Sequence, residues 1–191
     1  MAPPAARGRP WAKSHADITV FVDRDGVLLR DRPDYVKSWA EVEIVPGAFA
    51  ALARLRAAGA RVLVATNQSA VGRGIVSREA VDDIHARLAG IALAHGALID
   101  GFLVCPHRPD EGCACRKPKP GLLLQAQRER GLDLATAYMV GDQASDAESG
   151  IAAGCTAILL GGTAPAVSGS WRAANLNGAV DLILDASGSA S

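Results

Sequence analysis

Aromatic side chains are scarce in this chain: three Trp, two Tyr and three Phe, 4% of 191 residues. A net charge is missing too, because 20 Lys and Arg are matched by 20 Asp and Glu. With no basic surplus, neither nucleic acid nor an anionic membrane surface is expected as a partner. No run reaches the ~18–20 apolar residues that cross a bilayer. Residues 1–16 contain Pro, Arg and Gly but no apolar stretch of signal-peptide length. They are expected to form a loose tail, and the protein is expected in the cytoplasm. The shortage of aromatics does not mean disorder. Hydrophobic residues make up 49% of the chain, in long and regular runs, enough for one compact core.

Those runs alternate in type. Short β-branched segments at Ile18–Val22, Arg61–Ala65, Gly101–Cys105, Ala137–Val140 and Thr156–Leu160 predict buried strands. Between them, helical spacing is expected over Gly47–Ala58, from Ser77 as N-cap to Ala94, over Leu122–Arg130 and over Asp146–Ala153, with a terminal helix over Asn175–Leu184. This alternation predicts an α/β fold: a Rossmann-like three-layer parallel sheet, one domain over 17–185 and a short tail over 186–191. Only about two dozen residues separate the first strand from the first helix, so any cap is minimal. In such sheets ligands bind beyond the carboxyl ends of the strands. Asp23, Thr66, the Cys105 loop and Asp142 each follow a strand and should meet at one edge.

The Cys105 loop carries its own pattern. Cys105-Pro-His107, five residues, then Cys113-Ala-Cys115 supply three thiols and an imidazole. That is a full tetrahedral set for a structural zinc ion with no open position. The spacing differs from the common C-x2-C knuckle. Arg116 and Lys117 follow Cys115 directly, so the metal would stiffen the segment presenting them. Lys119 is expected in solvent, and Cys155 as a small buried apolar residue.

Four segments come in order. Asp23-Arg24-Asp25-Gly26 ends the first strand and Thr66-Asn67-Gln68-Ser69 the second. Arg116-Lys117-Pro-Lys-Pro-Gly121 follows the third, and Gly141-Asp142-Gln143-Ala144-Ser145-Asp146 ends the fourth. Together they resemble the four motifs of the haloacid dehalogenase superfamily of phosphatases, from about Val20 to Leu160. The resemblance implies that Asp23 is the nucleophile. Asp25 then protonates the leaving alkoxide and later activates water. Thr66 and Lys117 bind the transferring phosphate. Mg2+ is implied on Asp23, Asp142 and the backbone carbonyl of Asp25. Asp146 has two readings, an acid behind this set or a cap for the helix that follows; the cap is favoured.

With the zinc loop, the chain is similar to the D-glycero-D-manno-heptose 1,7-bisphosphate 7-phosphatases and the related histidinol-phosphate phosphatases. Gly72-Arg73-Gly74 and Gly121 favour the heptose group. The resemblance implies a small phosphorylated sugar as substrate, lined by Asp31, Arg32, Asn67, Gln68, Ser69, Arg73 and Arg116. Arg116 suits a second, non-reacting phosphate, which histidinol phosphate lacks. Departures from the heptose pattern are Val27 and Leu29 in place of Thr and Asn, Gln143 in place of Lys, and one extra residue over Arg30–Pro33. They bear on the substrate more than on the reaction. A non-catalytic zinc-stabilised domain is the alternative of another class, opposed by the intact Asp23, Asp25, Thr66, Lys117 and Asp142. No exposed apolar helix stands out, so a monomer is expected.

Overall fold

The computed structural model describes residues 18–162 and 164–188. The expected tail over 1–16 lies outside them. Six strands form one sheet: β1 (Thr19–Val22), β2 (Arg61–Asn67), β3 (Gly101–Cys105), β4 (Tyr138–Gly141), β5 (Thr156–Leu160) and β6 (Trp171–Ala173). Their order is β3-β2-β1-β4-β5-β6, and every pairing is parallel. Parallel neighbours need a crossover between them. Those crossovers hold α1 (Ala48–Ala57), the single turn α2 (Ser69–Gly72), α3 (Arg78–Ala94), α4 (Gly121–Arg130) and α5 (Ala144–Ala153), with α6 (Leu176–Gly188) closing the chain.

The strand side chains alternate between two cores. Val20, Val22, Val62, Val64, Val140 and Ile158 pack with residues of α1, α3 and α6. Phe21, Leu63, Leu103 and Met139 pack with Leu122, Leu123 and Ala126 of α4 on the opposite face. Both faces of the central strands are covered, which explains why they read as unbroken apolar runs. The sheet order turns back at β1, which pairs with β2 on one side and β4 on the other. The register sets Val22 level with Val64 and Val140. Residues just past those points, Asp23, Thr66 and Asp142, therefore share one edge at the topological switch point.

Three differences from the sequence reading have local causes. The three-residue β6 follows a segment of Ser and Gly and gains its identity only by pairing with β5. Helix α2 is one turn, too short for periodicity. Helix α6 extends to Gly188, past the Leu184 expected as the end of the terminal helix, while 189–191 lie outside the described residues. Ser77 caps α3 as expected, its hydroxyl accepting from Ala80 N–H at 3.1 Å. The segment from Asp23 to Gly47 carries one 3-10 turn, Trp39–Glu41, and a bridge between Leu29 and Ile44. None of the described helices is long and apolar enough to cross a membrane. Leu52 of α1 is fully buried in the first core. Leu52→Ala is expected to destabilise the fold by about 2–5 kcal/mol, read from the midpoint of urea unfolding.

Candidate active site

Asp23 follows β1, and its amide donates to Val140 O of β4 at 2.9 Å. Its Oδ1 accepts from the Arg24 amide at 2.7 Å and pairs with Lys117 Nζ at 2.9 Å. Lys117 arrives from the loop after β3 yet is almost fully buried. Its ammonium also donates to Ala65 O at 2.8 Å and lies 2.6 Å from Asp146 Oδ1. Its backbone is clamped by Asn67: Lys117 N–H donates to Asn67 Oδ1, and Asn67 Nδ2 donates to Lys117 O, both at 3.1 Å. Burial opposes the charge on Lys117, but Asp23 and Asp146 outweigh it and hold the ammonium above its ordinary pKa.

Asp146 takes both parts that the sequence left open. Its Oδ2 accepts from Gln143 N–H at 3.0 Å at the start of α5, while Oδ1 faces Lys117. A Cβ at Gly141 would collide with this carboxylate, so glycine there admits the close approach. Gly26 does the same for Asp142, where a Cβ would strike the carboxylate, and its φ of 80° is also left-handed.

Carboxylate oxygens of Asp23, Asp142 and Asp146 all lie within 4.8 Å of one another. Only two of these three acids, Asp23 and Asp146, pair with the buried ammonium. Burial pushes the Asp23 carboxyl up to about 7, with Lys117 pulling down and Asp146 and Asp25 pushing up. Asp142 is raised chiefly by burial as well. Its Oδ2 accepts from Gln143 Nε2 at 2.8 Å, but Oδ1 is buried with no hydrogen-bond partner among the described residues. Excess negative charge and an orphaned hard oxygen fit a divalent cation such as Mg2+.

These groups open into a cavity of about 420 Å³, within the usual range for small-molecule sites. Asp23, Asp25, Thr66, Asn67, Gln68, Lys117 and Asp142 line it, and Asp31, Arg32 and Arg116 lie in the same wall. Arg116 Nη1 donates to His107 O at 3.4 Å. Arg32 pairs with Asp34 at 3.2 Å. Two of the expected lining residues are elsewhere: Ser69 is buried at the start of α2, and Arg73 is exposed past its end. Val27 and Leu29 are 1% and 0% exposed within the apolar core and take no part in the wall. Tyr35, Ser145 and Arg24 line the cavity too. For Arg24 the sequence holds a signal, since one cation flanked by two acids at the end of an apolar strand has no solvent to turn to.

The cysteine loop folds as its composition predicts. Sγ atoms of Cys105, Cys113 and Cys115 are 3.3–3.6 Å apart, and His107 Nδ1 is 3.2 and 3.7 Å from two of them. Ligands about 2.3 Å from a tetrahedral zinc ion would be separated by a little more than this, so the four groups fit the metal. Cys105 is the last residue of β3, which roots the cluster in the sheet. Lys119 is exposed, as expected, and it is also hydrogen-bonded. Its ammonium donates to Gly112 O at 2.7 Å and Cys113 O at 2.8 Å, drawing the loop onto itself. Cys155 is buried with the second core, as expected.

A HAD-hydrolase-like family profile matches residues 114–175. A D-glycero-beta-D-manno-heptose-1,7-bisphosphate 7-phosphatase of Pseudomonas aeruginosa is 41% identical over 141 residues, covering 74% of this chain and 79% of that protein. A D-glycero-alpha-D-manno-heptose-1,7-bisphosphate 7-phosphatase of Mycobacterium tuberculosis is also 41% identical, over 150 residues, 75% of this chain and 79% of its own length. The crystal structure of D,D-heptose 1,7-bisphosphate phosphatase from B. bronchiseptica, complexed with magnesium and phosphate, superposes with a TM-score of 0.82 at 34% identity. It covers 88% of this chain and 98% of that one. Fold, motif order and relatives agree: the chain belongs to the D-glycero-D-manno-heptose-1,7-bisphosphate 7-phosphatase family of haloacid-dehalogenase-like hydrolases.

Proposed function

We propose that the protein removes the 7-phosphate of D-glycero-D-manno-heptose 1,7-bisphosphate by way of an aspartyl-phosphate on Asp23. The observation that carries this is the meeting of Asp23, Asp25, Thr66, Lys117 and Asp142 in one cavity whose wall also holds Arg32 and Arg116. Asp23, Asp142 and the backbone carbonyl of Asp25 would hold Mg2+, which supplies charge neutralisation to the phosphate. The Asp23 carboxylate attacks phosphorus as the bond to the C7 oxygen breaks. Asp25 gives its proton to that leaving oxygen, then takes one from the water that cleaves the acyl phosphate. Lys117, already against Asp23, neutralises charge on the phosphoryl oxygens, and Thr66 donates to one of them.

Arg116 and Arg32 give the second phosphate its binding partners. A guanidinium can grip a phosphate with two parallel hydrogen bonds. Histidinol phosphate has only the reacting phosphate and leaves both arginines without that partner. The relatives carry both the alpha and the beta anomer in their names. The anomeric carbon holds the distal phosphate, so the reaction at C7 is the same for each.

The direct test compares kcat/KM for the two heptose 1,7-bisphosphate anomers, other sugar bisphosphates and histidinol phosphate. The heptose substrates should lead; a wide preference for histidinol phosphate would overturn the assignment. Asp23→Asn should lower turnover by roughly 10⁴-fold or more, as expected for a nucleophile that works as a unit with its partners. EDTA should silence the wild type and added Mg2+ restore it, read with an aryl phosphate. Cys115→Ser should reduce bound zinc to background by elemental analysis and lower the thermal midpoint by about 5 °C or more. It should also lower kcat, because Cys115 sits two residues from Lys117.

A further inference from the structure

Arg24 lies between the two working acids and is 1% exposed. A guanidinium stays charged and only donates, so each of its buried partners must accept. Nε donates to Asp25 Oδ1 at 3.1 Å, and Nη2 reaches Oδ1 and Oδ2, both at 2.9 Å. Nη2 also donates to Gln68 Oε1 at 3.0 Å. Gln68 closes the triangle, its Nε2 donating to Asp25 Oδ2 at 2.8 Å. One edge of the guanidinium is left. There Nη1 meets Nε2 of His85 at 3.1 Å.

His85 comes from α3, a helix that supplies no residue to the cavity wall. Because Nη1 carries only hydrogens, Nε2 must offer its lone pair, which puts the ring proton on Nδ1 and leaves the imidazole neutral. Burial, with Arg24 adding to it, holds the His85 pKa down to about 3, in keeping with that neutral ring. The ring lies flat on Phe102 of β3, with centroids 4.2 Å apart and planes 7° from parallel. Phe102 fixes the plane of His85, His85 fixes one end of Arg24, and Arg24 grips both oxygens of Asp25.

We propose that His85 is a positioning residue: acting through Arg24, it aims the Asp25 carboxyl at the oxygen that leaves. The inference rests on the role assigned to Asp25 above. Without the acceptor on His85, Nη1 is a buried donor with nothing to pair with. The guanidinium turns to find another partner and carries the carboxyl with it. Displacements of about 1 Å at a reacting group cost about 10²-fold in rate.

The test separates orientation of the acid from general damage to the fold. An alkoxide needs a proton to leave; 2,4-dinitrophenolate does not. His85→Leu should lower kcat/KM about 10–100-fold for the sugar phosphate that is turned over fastest, up to the roughly 10²-fold at which a general acid's contribution begins. It should change kcat/KM for 2,4-dinitrophenyl phosphate by less than about twofold on the same grounds. His85→Gln, whose amide oxygen accepts from Nη1, should restore most of the loss. Equal losses on both substrates, no loss on either, or a glutamine variant as poor as leucine would overturn the proposal. If the leucine variant does not fold, His85→Asn, polar but too short to reach Nη1, is judged by the same outcomes. Asp25→Asn is run beside them. If it shows no dependence on the leaving group, the role of Asp25 itself is wrong. If it shows that dependence and the His85 variants do not, only the His85 proposal fails.

Discussion

One buried ammonium holds the catalytic edge together. Lys117 Nζ touches Asp23 after β1, Ala65 O on β2 and Asp146 at the start of α5. Four segments distant in sequence are tied to one charge. Stripping water from these groups costs several kcal/mol per ion unless every lone pair and proton is met. Here the cation has three partners, while the acids outnumber it and one Asp142 oxygen has none. The site is therefore balanced for a second positive charge, and the glycines at 26 and 141 provide the space in which the carboxylates crowd together.

The strands and the order of the motifs were readable because each rests on a local rule. A run such as Thr19–Val22 is buried throughout since helices cover both faces of the sheet, and an acidic residue following that run marks the strand's carboxyl end. The cysteine cluster was readable because three thiols and an imidazole in eleven residues have few uses other than holding a metal. What sequence could not show is how side chains are shared. Asn67 and Gln68 read as substrate ligands, but their amides are already engaged, one with the Lys117 backbone and the other with Asp25, Thr66 and Arg24. Asp146 read as a cap, and it is one, but only the fold could bring Lys117 to its other oxygen. His85 sits 61 residues from Arg24 on an amphipathic helix, where a buried histidine resembles any other inward-facing residue.

The two departures next to the acidic pair also look different in three dimensions. Val27 and Leu29 are core residues under the loop, where Leu29 bridges to Ile44 and anchors the segment after β1. Their apolar character follows from burial there. The wall that a ligand would meet holds Asp31, Arg32, Arg116 and Gln143 instead.

The reciprocal pair of hydrogen bonds between Asn67 and the Lys117 backbone is, in effect, one rung of a ladder made by a side chain. It sets the height of the lysine against β2, while the cysteine cluster ends only two residues earlier. Everything between His107 and Cys113 lies outside both restraints. Up to Gly112, whose carbonyl Lys119 holds, that outer stretch can lengthen or shorten at the small entropic cost of a longer loop, and the ammonium would stay where it is. No residue of that stretch lines the cavity, and variation there is thereby uncoupled from the group on which the site is built.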